Sequence, residues 1–238
     1  MSKKILKVNQ SIILYDDTLI HDVNDDIFNS AIWQNNQTLN ENTKGRDSVF
    51  FIDIEGKSCA LKHYCRGGLL AKLIYDQYLY LGIEKTRSFR EWELLLKMRE
   101  MNLPVPRPIA ARVRRNGFLY SADLLSKEIK NIDTFGDKLS LDVIDQKLWP
   151  EIGKCISKFH SFGIFHSDLN IENIQIDNKN NIYLLDFDKT KISKKSKMLI
   201  KFNLKRLRRS IEKKMIKEEK EFPYSGWSQL IKEVYVAE

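Results

Sequence analysis

His166-Ser167-Asp168-Leu169-Asn170-Ile171-Glu172-Asn173, with Asp186-Phe187-Asp188 following thirteen residues after Asn173, decides how this chain is read. Ahead of it, Ile152, Cys155, Ile156 and Phe159 fall on one helical face, and Gly163 suits the carboxyl-terminal cap of that helix. Between its two halves, residues 174–176 and 182–185 are short apolar runs of strand type. They flank the turn-forming Asp177-Asn178-Lys179-Asn180-Asn181. A hairpin there sends the chain back on itself and sets Asp186 beside Asn173. Asp and Asn in loops ordinarily serve as turn formers. Here they stand in a helix, loop, hairpin and turn whose order brings three oxygen-bearing side chains, those of Asp168, Asn173 and Asp186, toward one place.

Upstream, the first half has a different texture. Residues 1–45 are polar and hard to read, with one short helix expected over residues 26–34 around Phe28 and Trp33. Residues 48–54 read as a strand, Glu55-Gly56-Lys57 as a turn and residues 58–64 as a second strand. Residues 69–81 are apolar and aromatic and fit helix or strand equally. Phe89, Trp92, Leu95 and Leu96 predict a helix over residues 88–99, which Pro104, Pro106 and Pro108 prevent from continuing. Residues 109–115 and 118–125 flank Asn116-Gly117, a hairpin signal. Downstream, residues 189–220 are basic and favour helix, with Ile200, Leu204, Leu207 and Ile211 at helical spacing. That pattern fits packing against the second half or against a membrane surface.

The bulk numbers set bounds. With 238 residues, 42% of them hydrophobic, the chain can bury a substantial core in one unit or two apposed lobes. A net charge of +8 predicts an anionic partner, be it nucleic acid, membrane or phosphorylated substrate. Cys59, Cys65 and Cys155 lack metal-ligand spacing and suit a reducing compartment, where they serve as small apolar filler. The amino-terminal residues show no signal-peptide pattern, and no apolar run is long enough to cross a bilayer.

The decisive stretch resembles the catalytic and metal loops of protein-kinase-like enzymes, His-x-Asp-Leu-x-x-x-Asn followed by Asp-Phe-x. The resemblance implies an α+β, bilobal protein-kinase-like fold: an antiparallel β-sheet amino-terminal lobe with one prominent helix over residues 1–125, and a mostly helical carboxyl-terminal lobe over residues 126–238. It implies ATP and Mg2+ as the chemistry's requirements. Phosphoryl transfer needs a carboxylate to receive and orient the acceptor hydroxyl, and oxygen ligands to hold Mg2+ on the phosphates. Asp168 takes the first role, Asn173 and Asp186 the second. Cys59-Ala60-Leu61-Lys62 is similar to the strand whose lysine neutralises the nucleotide's phosphates, although a lysine at a strand end is ordinarily solvated surface. Glu91 and Glu93 compete to aim that lysine. Glu91 is favoured by its place beside the buried stripe, while Ser88-Phe89-Arg90-Glu91 also spells a capping box. The glycine-rich phosphate loop is absent; Gly45 and Arg46 alone are assigned to that role, an ordinary surface turn being the other reading. His160 is expected to hydrogen-bond near its helix end and His166 to belong to the loop's scaffold.

Beyond the fold, Lys62 to Leu69, Thr86 to Leu95, Leu103 to Arg112, His166 to Asn173, Leu185 to Asp188 and Asn203 to Ser210 resemble the lipopolysaccharide core kinases, over residues 43–212. Among these, the likeness is to kinases of 3-deoxy-D-manno-octulosonic acid (Kdo). It implies transfer of the ATP γ-phosphate to the 4-hydroxyl of a Kdo residue on lipid A, by an enzyme peripheral to the anionic cytoplasmic leaflet of a bacterial inner membrane. Asp47 stands where relatives often carry glycine. No Ala-Pro-Glu follows the metal-loop aspartate, Ser167 replaces an arginine and Asp188 a glycine, which leaves little for a peptide-binding shelf. Basic residues Lys201, Lys205, Arg206, Arg208 and Arg209 suit an acceptor bearing phosphates and carboxylates. Two other readings are weighed: a minimal atypical protein kinase, and a basic nucleic-acid-binding module. The second rests on charge alone, so no nucleic acid is expected as a partner.

Overall fold

Strand β1 (Lys3–Val8) and strand β2 (Ser11–Asp16) form a hairpin from the stretch whose composition had signalled no element. Asn9, with φ +52°, occupies the left-handed conformation that asparagine tolerates in such a tight turn. The computed structural model describes residues 2–29, 32–33, 49–66, 75–141 and 145–236. The chain divides into two units, Met1–Lys97 with Pro106–Glu128, and Met98–Val105 with Ile129–Glu238.

The first unit is built on a seven-stranded antiparallel sheet. Strands β3 (Val49–Ile54), β4 (Lys57–His63), β5 (Tyr78–Leu79), β6 (Pro108–Asn116) and β7 (Leu119–Lys127) complete it, in the order β1-β2-β6-β7-β4-β3. Strand β5 pairs with Tyr120 and Leu119 of β7, while β4 pairs with residues 123–127, so both extend the same edge of β7. Residues 69–81, left open between helix and strand, contain β5; residues 69–74 lie outside the described residues. The β6–β7 turn differs from the sequence reading by one position. Asn116 pairs with Leu119, so the turn's central residues are Gly117 and Phe118 rather than Asn116 and Gly117. Gly117 has φ +58° at the first central position, where only glycine is comfortable in a tight hairpin.

Alternation along the strands assigns the two sheet faces. On one face Ile13, Ile52, Ile54, Cys59, Leu61 and Leu125 pack against Ile20, Ile27 and Phe28 from the segment after β2. A bulge between Pro108 and Ala110 lets the consecutive residues Ile109 and Ala110 join the same cluster. Of the helix expected over residues 26–34, the described residues show a 3-10 turn, Asp26–Phe28, then an extended Asn29, and helical backbone at Ile32 and Trp33; residues 30, 31 and 34 lie outside the described residues. The Phe28 carbonyl is taken by Arg112 Nη2 at 3.3 Å rather than by a helical N–H. Helix α1 (Arg87–Glu100) is anchored by Ser88, whose Oγ donates to the Arg112 carbonyl at 2.9 Å. Ser88 therefore caps nothing, and the capping-box alternative for Glu91 falls away.

The second unit carries a three-stranded sheet ordered β10-β9-β8, from β8 (Ile132–Thr134), β9 (Ile174–Asp177) and β10 (Ile182–Leu184). Among the described residues four helices accompany it: α2 (Phe135–Ser140), α3 (Leu148–Ser161), α4 (Lys197–Lys217) and α5 (Tyr224–Val236). Helices α3 and α5 approach closely through two glycines. A β-carbon at Gly153 would collide with the Leu230 carbonyl, and one at Gly226 with the Trp149 ring. On α4, Ile200, Leu204, Leu207 and Ile211 are all buried. Each such side chain contributes about 1.5–3 kcal/mol when removed from water, which decides for packing within this unit over a membrane surface. Among the described residues, no helix is long and apolar enough to cross a membrane. All three cysteines carry free thiols; burial pushes Cys59 up to about 11 and Cys155 up to about 12, so neither is a thiolate at neutral pH.

Candidate active site

Helix α3 ends in a glycine for a steric reason. Gly163 has φ +71°, and a β-carbon there would collide with the Ser193 carbonyl. Ile164 then bridges to Ile192, which starts the chain into the loop of residues 165–173. His166 organises that loop. Its Nε2–H donates to the Leu185 carbonyl at 2.7 Å, and its Nδ1 accepts from the Asp168 backbone N–H at 3.1 Å. These two partners define a neutral imidazole with the proton on Nε2. Asn203 of α4 holds the same histidine by donating from Nδ2 to the His166 carbonyl at 2.9 Å, while its Oδ1 lies 3.2 Å from His160 Nε2. Phe187 is fully buried, stacked on Phe159 at 5.7 Å and packed against the tilted His166 ring at 4.7 Å, so the Asp-Phe-Asp turn is pinned by its aromatic residue.

The segments that carry Asp168, Asn173 and Asp186 are hydrogen-bonded to one another in this frame. Asn173 Nδ2 donates to the Asp168 carbonyl at 2.9 Å, and the Leu185 N–H donates to the Asn173 carbonyl at 3.0 Å. The β9–β10 hairpin thus returns Asp186 to the neighbourhood of Asn173, with Ile182 opposite Ile176 in register. Asp186 itself has φ +64°, a left-handed conformation uncommon for a residue with a β-carbon and concentrated at functional sites. The Asp168 side chain is 63% exposed, and its Oδ1 lies 3.2 Å from Arg206 Nη1 while Asn170 Nδ2 lies 3.3 Å from Oδ2.

A divalent cation suits these donors. Because the Asn173 amide nitrogen is committed to the Asp168 carbonyl, its Oδ1 remains as a hard oxygen donor, and Asp186, one residue past the Leu185 N–H that donates to the Asn173 carbonyl, carries the second. One carboxylate and one amide oxygen match Mg2+, which binds few protein ligands and keeps sites for water and phosphate oxygens.

In the first unit, Lys62 lies on the sheet face opposite Cys59 and Leu61. Its Nζ is 3.3 Å from Glu91 Oε2 of α1, with side chains 14% and 3% exposed. The Tyr64 hydroxyl donates to the same Glu91 oxygen, and the Lys62 ammonium sits 4.7 Å from the Tyr64 ring centroid. Glu93 points elsewhere and pairs with Lys3. The pair is therefore Lys62 with Glu91. Gly45 and Arg46 lie outside the described residues. Three contributors were not singled out from sequence as partners: Tyr64, Asn170 and Asn203. Arg206 was marked only for its charge. Each is an ordinary residue in its own segment, and the contact that gives it meaning spans from two residues to dozens.

An exposed carboxylate, an adjacent amide and a second carboxylate, organised by a neutral histidine, form the equipment of a phosphotransferase, and comparison with known proteins agrees. The model of the lipopolysaccharide kinase (Kdo/WaaP) family matches residues 30–235. The chain belongs to this family. A 3-deoxy-D-manno-octulosonic acid kinase of Vibrio cholerae is 40% identical over 208 residues, covering 87% of this chain and 88% of its own length. One from Haemophilus influenzae, strain PittGG, is 38% identical over 214 residues, with 86% and 88% covered. One from Photobacterium damsela subsp. piscicida is 35% identical over 234 residues, with 98% and 97% covered.

Proposed function

We propose that this chain phosphorylates a hydroxyl of Kdo on lipid A during lipopolysaccharide inner-core synthesis, with ATP as donor, and that the hydroxyl is the one on carbon 4. The observation that carries the reading is the hydrogen-bonded convergence of Asp168, Asn173 and the residue preceding Asp186. In this reading Asp168 accepts a hydrogen bond from the acceptor hydroxyl, aligns its oxygen for in-line attack and receives its proton as the new P–O bond forms and the bond to the leaving diphosphate breaks. His166 and Asn170 hold that carboxylate's loop in place. Asn173 and Asp186 would hold Mg2+, which supplies charge neutralisation on the phosphate oxygens. Lys62, steadied by Glu91 and Tyr64, adds a fixed positive charge for the nucleotide's phosphates. Gly45 and Arg46 are assigned to the same phosphates. The fold is the bilobal protein-kinase type, the first unit serving as its nucleotide lobe and the second as its catalytic lobe. The enzyme works at the cytoplasmic face of the inner membrane, held peripherally by attraction between its basic surface and anionic lipid.

The test is incubation with Mg2+, ATP and Kdo-bearing lipid A, with mass spectrometry of the glycolipid. The wild-type protein adds one phosphate to the Kdo residue. Asp168→Ala removes transfer by about 10³-fold or more, with unchanged circular dichroism and retained nucleotide binding. Labelled phosphate appearing on protein and not on glycolipid would sink the reading, as would near-wild-type turnover by Asp168→Ala.

A further inference from the structure

Helix α4 has a second face whose purpose the core does not explain. Phe202, Lys205, Arg206 and Arg209 recur at intervals of three and four residues and so form one stripe. Together with Asp168 and Asn170 they line a cavity of about 470 Å³, within the range of small-molecule sites. Two cations on other faces of this helix have acids of their own, Arg208 with Glu212 at 2.7 Å and Lys214 with Glu218 at 3.3 Å. Lys205 and Arg209 make no ion pair with the described residues. Among the described residues Arg206 pairs only with Asp168, both side chains being more than half exposed. An exposed pair of this kind is worth little, so an incoming anion displaces it readily.

We propose that this cavity is the acceptor subsite and that Arg206, with Arg209 and Lys205 beside it, binds the carboxylate of the acceptor sugar acid. The inference rests on the Kdo-kinase reading. An octulosonic acid carries its carboxylate on the same ring as its reactive hydroxyl, a few bonds away. A guanidinium adjacent to Asp168 can therefore hold one while Asp168 receives the other. Arginine matches a carboxylate through two parallel N–H donors, which fixes the orientation of the sugar as well as its presence. Phe202, 48% exposed, offers an apolar ring against which the C–H face of a sugar can rest. On binding, Arg206 exchanges the Asp168 carboxylate for that of the sugar, and Asp168 is released to the hydroxyl. Neutral sugars fail to make this exchange, so the subsite is a specificity determinant for acidic acceptors.

The experiment compares Kdo-lipid A with the same glycolipid whose Kdo carboxylate is converted to the carboxamide, under saturating Mg2+ and ATP. The phosphates of lipid A are common to both acceptors, so only the carboxylate is varied. For the wild-type protein, kcat/KM falls by roughly 10- to 100-fold on the amide, the worth of a charge-assisted hydrogen bond. Arg206→Gln and Arg209→Gln lower kcat/KM on the acid by a comparable factor, leave the KM for ATP unchanged, and abolish the preference of acid over amide. A wild-type protein that uses both acceptors equally overturns the proposal, as do variants that lose the same factor on each. If the wild-type protein phosphorylates neither glycolipid, the Kdo-kinase reading itself fails; transfer without discrimination defeats this inference alone.

Discussion

At the scale of single residues, position along a strand explains why Lys62 is not an ordinary surface lysine. Strand β4 buries Cys59 and Leu61 in the core on one face, so Lys62 must emerge on the other, where α1 supplies Glu91. The sequence already marked both residues, but as one choice among competing ones. The buried stripe of α1 favoured Glu91, and the nearness of Ser88 left a capping role open. What closed the choice was the Lys62 ammonium, 3.3 Å from Glu91, with Glu93 paired to Lys3, while the Arg112 carbonyl on another strand engages Ser88. A consequence follows for kinetics. Lys62→Met is expected to lower kcat/KM for ATP by about 10²-fold, the scale of removing one fixed charge from a phosphate site. Glu91→Gln is expected to produce part of that loss, and the double variant to be no worse than Lys62→Met, because the two residues act as one unit. Steady-state kinetics with varied ATP check this; strict additivity would show that Glu91 acts apart from Lys62.

At the scale of elements, helical periodicity was read correctly where the apolar face was dense and wrongly where it was thin. Helix α1 was expected over residues 88–99 and runs Arg87–Glu100. The expected helix over residues 26–34 is interrupted where Arg112 takes the Phe28 carbonyl, so the described residues show the 3-10 turn Asp26–Phe28, an extended Asn29 and helical backbone at Ile32 and Trp33. The pairing of α3 with α5 could not be read at all, because Gly153 and Gly226 look like weak points in any helical pattern. Their small size is what lets the helices meet. Gly226→Ala tests this. Helix propensity favours alanine by about 1 kcal/mol, but the added methyl must displace the buried Trp149 ring, an overpacking cost of about 1–3 kcal/mol. The variant is expected to melt below the wild-type protein, and Trp149→Leu in the same chain to recover part of the loss. A raised melting temperature in Gly226→Ala alone would show that the contact is slack.

At the scale of the whole molecule, a buried polar network spans the sheet of the first unit. Asp123 of β7 accepts from Arg112 Nε at 2.8 Å and lies 2.7 Å from His63 Nδ1, the two being its neighbours on β6 and β4. Arg112 continues the network to Asp25 and the Phe28 carbonyl, and Asp76 lies 3.3 Å from His63 Nε2. The hydrogen bond to Asp123 holds the His63 imidazolium above its ordinary value of 6.5, against the opposing effect of burial. The folded protein therefore binds this proton more tightly than the unfolded chain. The stabilisation is complete below about 6.5 and is lost as pH rises through the elevated value. Melting temperature is expected to fall between pH 6 and pH 8 by more in the wild-type protein than in His63→Gln. Equal slopes in the two proteins would place the proton elsewhere.

What could be read from the linear chain was whatever short spacing encodes: the loop and turn holding Asp168, Asn173 and Asp186, the hairpins, the helix of the first unit, and the chemistry these residue types allow. These signals survive because their residues lie within one element or one hairpin, so local geometry alone brings them together. Tertiary structure alone determined the contact of Tyr64 with Glu91, the contact of Arg206 with Asp168, the Asn203 hold on His166, and the inward turn of the apolar face of α4. Each depends on contacts across about thirty or more residues, and no local rule reports which distant side chain will arrive to complete a charge, a carbonyl or a ring.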